Sequence, residues 1–344
     1  MERILVRLPG WLGDLLMARP LLHALRRLHP GAALEAVGED AHLELLASEG
    51  VIDRAHAWPR EPAARAGLAR ALRATPADAA LVLPPSFSSA WFTWRAGARE
   101  RIGYGHELRG ALLTRALRRP ARGELHLSRE YLALAGALDP AAAGAPVPAS
   151  SPARVRADAL PLLAPPPGAA TQVEAMLALQ PMGRRPLAVL GPAARYGPAK
   201  RWAPSRFAAV GRALAERGFG VLVCGAPSER EECEAVAAAA GGGAVSLAGT
   251  TGLPALAALC ARAAVALCND SGLAHLAAAV GAPTVVVFGS TSSAWTAPLG
   301  PRVRVIQQAP VCAPCFRRTC RIGTRCLEAV SVERVVRACL EAAA

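Results

Sequence analysis

Apolar segments short enough to be β-strands recur through the second half of the chain, and this pattern is the strongest constraint on its fold. Segments with helical periodicity separate five of them: 186–191, 220–225, 244–247, 265–268 and 284–289. Strands and helices that alternate at this spacing predict a parallel sheet covered on both faces. Glycine and proline turns interrupt the apolar stretches before they reach the ~20 residues that a membrane-spanning helix needs. We therefore predict an α/β core here rather than membrane helices.

The first half opens with a strand, a glycine-containing loop and a helix, which is how a doubly wound unit begins. The strand is predicted at 3–8 and the helix at 14–29. Two further strands are predicted at 33–37 and 79–83, with an alanine-rich helix at 62–73 between them. The first half is therefore also predicted to be α/β.

A proline-rich segment, 139–168, separates the two halves. It contains eight prolines and little periodicity, which predicts a linker. The predicted domains are therefore 1–165 and 183–330, followed by a terminal helix over 331–344. Two α/β halves joined by a linker are expected to enclose a cleft, with ligands at the carboxyl ends of the strands.

The chain is basic, with 39 Lys and Arg residues against 26 Asp and Glu and a formal charge of +13, which favours anionic partners. A chain that is 53% hydrophobic is not expected to be disordered as a whole. No nucleic acid is expected as a partner, because only 15 residues are aromatic and no helix-turn-helix motif is present. Nine arginines lie between Arg95 and Arg129, where both a solvated helix face and an anion-binding surface remain open.

Two residue types occur once each in the whole chain: Lys200 is the only lysine and Asn269 the only asparagine. In a composition dominated by Ala, Arg, Gly and Pro, such exceptions are either chemically required or chance survivors. Lys200 lies with Arg195 and Arg201 in a loop, 191–202, that follows a predicted strand. A compact ammonium suits a single phosphate oxygen or a crowded site better than the wide guanidinium fork does.

A carboxylate stands where the first glycine loop meets the first predicted helix, at Gly13 and Asp14. Aspartate is a preferred helix N-cap and is stabilised there by the helix dipole. The same position also suits an ionised general base that faces the predicted cleft. Both interpretations of Asp14 remain open at this point.

A second strand-to-helix turn, 268–275, has the properties of an anion site. The first N–H groups of a helix have no intrahelical partner, so the backbone of Ser271, Gly272 and Leu273 is expected to cradle a pyrophosphate. Asp270 would repel a phosphate, and a cap or a sugar-hydroxyl acceptor suits it better. His275 lies on the first turn of the predicted helix, where a core histidine is the alternative to a ligand-binding one.

Four segments, in this order and spacing, resemble the ADP-heptose:lipopolysaccharide heptosyltransferases of glycosyltransferase family 9, with heptosyltransferase II the nearer type. They are LPGWLGDLLMARPLL, GPAARYGPAKRW, VCGAPSE and CNDSGLAHLAAAVGAPTVVVFGST. The resemblance covers most of the chain, is most specific in the last segment and is weakest from residue 60 to 167.

The resemblance implies a GT-B architecture, in which two Rossmann-like doubly wound domains face a cleft. The first domain would bind the acceptor and the second the nucleotide sugar. It also implies an inverting, metal-independent transfer of L-glycero-D-manno-heptose from ADP-heptose to the inner core of lipopolysaccharide. The acceptor would be a phosphorylated glycolipid, so we expect a cytoplasmic enzyme in peripheral contact with the inner membrane. Residues 1–8 have no long apolar run typical of a secretory signal.

The family's catalytic aspartate corresponds to Asp14 and its phosphate-binding lysine to Lys200. Its ribose-binding glutamate corresponds most simply to Glu229, with Glu231 and Glu232 close enough to confuse the register. The full set of predicted nucleotide-sugar contacts is Gly13, Arg195, Glu229, Asn269, Asp270, Ser271, Gly272, Leu273 and His275. A family 9 transferase for another heptose step or acceptor is the alternative. A Rossmann oxidoreductase is disfavoured because the first loop lacks Gly-x-Gly-x-x-Gly.

A cysteine-rich segment precedes the terminal helix and carries Cys312, Cys315, Cys320 and Cys326 among several arginines. In a cytoplasmic protein such clustering suggests ligation of a structural zinc or another thiophilic metal. The spacing is not that of a standard zinc finger, so free or partly oxidised thiols remain the alternative. No catalytic cofactor is expected. The other five cysteines lie among apolar residues and are predicted to be core.

Overall fold

The structure is a computed structural model that describes residues 1–139 and 160–344. The chain divides into two compact units, Met1–Leu160 and Pro161–Ala344. Each unit contains one six-stranded sheet in which every strand pair is parallel. The predicted α/β class with two doubly wound units is confirmed. Most of the predicted linker, residues 140–159, lies outside the described residues.

The first sheet has the order β3-β2-β1-β4-β5-β6, which is the Rossmann order with its switch point between β1 and β4. Its strands are β1 Arg3–Arg7, β2 Ala33–Gly38, β3 Arg54–Ala57, β4 Ala79–Val82, β5 Glu100–Gly105 and β6 Arg115–Arg118. The helices of this unit are α1 Leu12–Leu28, α2 Asp40–Leu46, α3 Pro62–Arg73, α4 Phe87–Arg95 and α5 Leu127–Leu138.

The second sheet has the order β12-β11-β10-β7-β8-β9, the same Rossmann order with its switch point between β7 and β10. Its strands are β7 Leu187–Gly191, β8 Gly220–Val223, β9 Val245–Ser246, β10 Ala263–Asn269, β11 Thr284–Phe288 and β12 Val303–Gln307. The helices are α6 Ala169–Ala178, α7 Pro204–Ala215, α8 Arg230–Ala240, α9 Leu253–Ala261, α10 Gly272–Ala279, α11 Ser293–Thr296, α12 Arg325–Glu328 and α13 Val332–Ala343.

The core of the second unit is built on strands that are buried on both faces. β7, β8 and β11 are buried at every position, because helices cover both sides of the sheet. The terminal helix α13 contacts α7, β10 and β11 and buries Val335, Ala338 and Cys339 against them. Within the described ranges, no helix is both long and apolar enough to cross a membrane.

The first helix begins two residues earlier than predicted, and this decides one of the alternatives for Asp14. Helix α1 starts at Leu12 and its N-cap is Trp11. Asp14 is therefore the third residue of the helix rather than its cap. An acidic residue in the first turn is still stabilised by the helix dipole. The N-cap interpretation of Asp14 is wrong.

Candidate functional site

The two loops singled out in the second half follow neighbouring strands at the switch point of the second sheet. The loop with Lys200 follows β7, and the turn with Asp270 follows β10, which pairs with β7. In doubly wound sheets, the crevice at the switch point outside the carboxyl ends of the strands is where ligands bind. The strand order of the second sheet thus places the Lys200 loop next to the Asp270 turn.

Lys200 and Asp270 form an ion pair in which Nζ lies 2.6 Å from Oδ2. Only 12% of the lysine side chain and 3% of the aspartate side chain are exposed. The hydroxyl of Thr291 donates to the same Oδ2 at 2.6 Å. Asp270 is therefore not the N-cap of α10, which is Ser271. Its Oδ2 already contacts Lys200 and Thr291. It holds the single lysine of the chain at the edge of the sheet.

Asn269 ties the lysine loop to the end of β10. Its side-chain nitrogen donates to the carbonyl of Pro192, and its Oδ1 accepts from the backbone N–H of Trp202 at 3.0 Å. The side chain is fully buried. One amide thus fastens both ends of the loop that carries Lys200. Only a side chain with a donor and an acceptor can make both bonds, which gives a physical reason for the lone asparagine.

Helix α10 points its N-terminus to the same edge of the second sheet. Its N-cap, Ser271, makes no side-chain capping bond, and the hydroxyl is buried without a hydrogen-bond partner among the residues described. Gly191 is closely approached by this helix, since a Cβ there would lie 2.8 Å from Leu273 Cδ2. The free N–H groups of the first turn and the Ser271 hydroxyl together suit an anion. His275 is buried on this first turn.

Of the three candidate glutamates, Glu232 is engaged elsewhere, in an ion pair with Arg201 at 3.0 Å. Glu231 is exposed on α8. Glu229 follows β8, and its Oε2 accepts from the N–H of Ala226 at 2.9 Å. This bond holds the Glu229 carboxylate at the carboxyl end of a strand next to β7. Of the three, Glu229 lies nearest in sequence to the end of β8.

Asp14 lies at the switch point of the first sheet, in the first turn after β1, and is partly exposed. The charge of Asp14 acts on Tyr131 of α5. Burial raises the pKa of Tyr131 well above its ordinary value, and the negative charge of Asp14 raises it further. The Tyr131 phenol therefore stays protonated at neutral pH.

Comparison with known proteins identifies the family. The profile of Glycosyltransferase family 9 (heptosyltransferase) matches residues 65–325. The chain belongs to glycosyltransferase family 9.

Its relatives in this family match it over most of their length. It is 30% identical to lipooligosaccharide heptosyltransferase 2 of Haemophilus influenzae, over 88% of both chains. It is 29% identical to lipopolysaccharide heptosyltransferase 2 of Salmonella typhimurium, over 89% of this chain and 88% of the relative. The solved ADP-heptose lipopolysaccharide heptosyltransferase II of Escherichia coli matches with a TM-score of 0.82 and 27% identity, over 100% of this chain and 98% of that one. The predicted resemblance and the GT-B class are confirmed, and this family 9 chain is a glycosyltransferase.

The four clustered cysteines are not assembled as a metal site. Nowhere in residues 1–139 and 160–344 do three or more His, Cys, Asp or Glu side chains stand where they could hold a metal ion. The Cys320 thiol instead donates to the carbonyl of Gly323 at 2.8 Å, and Cys312 is exposed. Burial raises the pKa of the Cys326 thiol, which disfavours the thiolate that a metal would need. The arrangement gives the predicted structural metal no support.

Two further residues at this candidate site were missed from the sequence. Thr291, which donates to Asp270, follows β11 within the segment that carries the resemblance, so a hydroxyl after a buried strand was the available signal. Tyr196 lies beneath the lysine, with Lys200 Nζ 4.8 Å from its ring centroid. An aromatic residue in a glycine-rich loop was a weaker signal, because only the tertiary structure places the ring under the ammonium.

Proposed function

We propose that this enzyme transfers L-glycero-D-manno-heptose from ADP-heptose to the inner core of lipopolysaccharide, at the second-heptose step. The observation that carries the proposal is the Lys200–Asp270 pair, held on neighbouring strands beside the open N-terminus of α10. An ammonium and a set of free N–H groups at one sheet edge suit the diphosphate of a nucleotide sugar. The relatives named as heptosyltransferase 2 support this donor and this step.

In the proposed reaction, Asp14 accepts the proton of the acceptor hydroxyl as its oxygen bonds to the anomeric carbon of heptose. The bond from that carbon to the β-phosphate oxygen breaks on the opposite face, and ADP departs with the bonding electrons. Attack from the face opposite the leaving group inverts the anomeric configuration. Burial and the charge of Asp14 raise the pKa of Tyr131, so this phenol does not compete with Asp14 as the base.

The departing diphosphate is proposed to be stabilised by Lys200 and the first turn of α10, without a metal ion. The sequence contains no Asp-x-Asp motif to carry a divalent cation to the phosphates. Fixed positive groups of this kind stabilise developing charge without reorganising during the reaction. If the proposal holds, EDTA leaves turnover unchanged. Loss of turnover on chelation with recovery on adding Mg²⁺ would contradict it.

The remaining predicted residues have distinct proposed roles around the nucleotide sugar. Glu229 accepts from the ribose hydroxyls, and Asp270 and Asn269 act through Lys200 by fixing its position. The diphosphate and sugar are contacted by the backbone or side chains of Gly13, Arg195, Ser271, Gly272, Leu273 and His275.

The step is tested by supplying ADP-heptose with two core acceptors, one that already carries the first heptose and one that lacks it. Release of ADP only with the heptose-bearing acceptor is the expected result. ADP release only with the heptose-free acceptor would assign the first step instead, and release with neither would favour another family 9 acceptor. The Asp14→Asn variant serves as the control for ADP release that is independent of transfer.

Contact with the cytoplasmic face of the inner membrane is proposed from a ridge of exposed aromatic residues on α4. Phe87, Trp91 and Trp94 are 49%, 41% and 44% exposed. Phe87 stacks on Trp91 with ring centroids 6.1 Å apart, and Trp91 packs at a tilt against Trp94 with centroids 4.9 Å apart. Arg95 at the end of the helix is exposed, with no partner among the residues described. Exposed aromatics next to an unpaired cation suit the interface of an anionic bilayer.

The proposal is placed on this ridge rather than on the nine arginines between residues 95 and 129, because most of those arginines already have partners. At least five of those arginines are engaged within the first unit: Arg99, Arg101, Arg109, Arg115 and Arg119 bond to nearby carboxylates or carbonyls. The proposal is tested by sedimentation with phosphatidylglycerol vesicles. Trp91→Ala/Trp94→Ala should reduce the bound fraction, whereas Leu179→Ala, an exposed apolar control in the second unit, should not.

A further inference from the structure

The cysteine-rich segment packs directly against the loop that carries Lys200. The N–H of Ala199 donates to the carbonyl of Arg318 at 3.0 Å, and the hydroxyl of Tyr196 donates to the carbonyl of Phe316 at 2.5 Å. At Gly197, a Cβ would lie 2.6 Å from the Arg318 carbonyl oxygen, so only glycine permits this approach. Two loops far apart in sequence therefore share one short interface.

A second set of bonds anchors the same segment to the end of β11. The carbonyl of Ser290 accepts from the N–H groups of Cys315 and Phe316, at 3.0 and 2.8 Å. The ring of Phe316 meets Trp295 edge to face, with centroids 5.5 Å apart. The backbone that presents Arg318 is thus fixed from two sides, at the carboxyl edge of the second sheet.

The ring of Tyr196 has two cations close to it. Lys200 Nζ lies 4.8 Å from its centroid, and the guanidinium carbon of Arg318 lies 5.5 Å from it. The two positive groups repel each other, and the ring offsets only part of that repulsion. Asp270 neutralises the lysine, whereas the exposed guanidinium of Arg318 has no hydrogen-bond or ion-pair partner in the part of the chain described. An unpaired cation held beside a phosphate-binding lysine suits a second negative group.

We propose that Arg318 is a second cation for the diphosphate of the donor, and that Tyr196 is the positioning residue shared by Arg318 and Lys200. The inference rests on the proposed function, since it takes the ligand to be a nucleoside diphosphate sugar. A guanidinium can engage two phosphate oxygens at once, which the single ammonium cannot. The cysteine-rich segment thereby becomes part of the donor site, without any metal.

The test is calorimetric titration of the full-length chain with ADP, which measures binding apart from turnover. Arg318→Ala should raise the Kd for ADP by about 10-fold, as expected for a lost charge-assisted bond. Adenosine, which has no phosphate, should bind both proteins equally. The matched control is Arg317→Ala, an exposed neighbour with no contact to Tyr196, which should leave the Kd for ADP unchanged.

Tyr196→Phe and Tyr196→Ala separate the two contributions of the tyrosine. The phenylalanine variant keeps the ring and loses only the bond to Phe316, so its Kd for ADP should rise less than that of the alanine variant. Thermal unfolding of each variant measures any general loss of folding. Arg318→Ala binding ADP as tightly as the unmodified chain would overturn the inference, and so would an equal loss in Arg317→Ala.

Failure of the donor assignment gives a different result. If the unmodified chain binds UDP or GDP in preference to ADP, the proposed donor is wrong, and the role of Arg318 is tested with that diphosphate instead. If the unmodified chain binds ADP and Arg318→Ala matches it, the donor assignment survives and the inference fails. If no nucleoside diphosphate binds, both are overturned.

Discussion

Lys200 and Asp270 follow different strands of the second sheet, yet their charged atoms lie 2.6 Å apart in a nearly buried pair. A buried ion pair contributes little net stability against an apolar pair of the same shape, but an unpaired buried charge is strongly destabilising. The pair is therefore better explained by what it positions than by what it stabilises. In the proposed donor site, the pair places an ammonium beside a helix N-terminus, two groups that suit a phosphate.

Asp270→Asn should destabilise the chain, because it leaves the lysine charge buried without its partner. It should also weaken donor binding, because Lys200 loses the contact that fixes its position. Urea unfolding should show a loss of about 3 kcal/mol, as is typical when one member of a buried pair is removed. The double variant Asp270→Asn/Lys200→Met should recover part of this stability while remaining deficient in ADP binding. Equal stability of the single and double variants would contradict the paired arrangement.

Asn269→Asp should disrupt the lysine loop although it preserves size and shape. The carboxylate cannot donate to the Pro192 carbonyl and would place a negative charge against it. We expect a loss of about 1 to 3 kcal/mol in urea unfolding, with a higher KM for the donor. A variant with unchanged KM and unchanged unfolding would show that the bonds to Pro192 and Trp202 do not position Lys200.

Parts of this fold were predictable from the sequence because burial leaves a simple pattern. β7, β8, β10 and β11 consist almost wholly of apolar residues and were predicted. Several strands were missed, because their sequences are charged or exposed: β3, β5, β6 and β12 carry Arg or Glu at positions open to solvent. Charged strands of this kind have no periodicity that distinguishes them from loops.

At the candidate site, the sequence likewise indicated individual residues, whereas the contacts between them required the tertiary structure. Lys200, Asp270 and Ser271 were identified because each lies in a loop between a buried strand and a helix, and because the lysine is unique in the chain. The pairing of Lys200 with Asp270 and the bond from Thr291 depend on which strands are neighbours in the sheet, and the contact of Arg318 with Tyr196 depends on how the segment after β12 packs on the Lys200 loop. No local pattern encodes contacts between segments that follow β7, β10, β11 and β12.

The thiols should differ sharply in their rates of alkylation. Burial raises the pKa of the core thiols Cys224, Cys260 and Cys268, and raises that of Cys233 to about 12, so all four stay protonated and unreactive at neutral pH. Iodoacetamide at pH 7.5 should therefore label the exposed Cys312 first, as peptide mass spectrometry would show. Because a raised pKa keeps the thiol form to higher pH, the core thiols should gain reactivity only on unfolding.

Removal of metal should leave the fold intact, since the cysteine segment is held by backbone bonds to Ser290 and Ala199 rather than by ligation. We expect the purified chain to contain well below one equivalent of zinc or iron, and EDTA to leave its Tm unchanged. The variant Cys312→Ser/Cys315→Ser should melt as the unmodified chain does. One bound equivalent of metal, lost together with a lower Tm on chelation, would contradict this arrangement.

Asp14→Asn should separate chemistry from binding. The amide keeps the size of the side chain but cannot accept a proton, and a positioned general base contributes about 10²- to 10⁴-fold to the rate. We therefore expect kcat to fall by that factor while the Kd for ADP stays the same, because Asp14 belongs to the first unit and the proposed ADP contacts lie mainly in the second. Asp40→Asn is the matched control, since Asp40 also occupies the first turn of a helix after a strand of the same sheet. Both substitutions weaken a dipole interaction of similar size, so an equal fall in kcat in the two variants would assign Asp14 to helix stability rather than to catalysis.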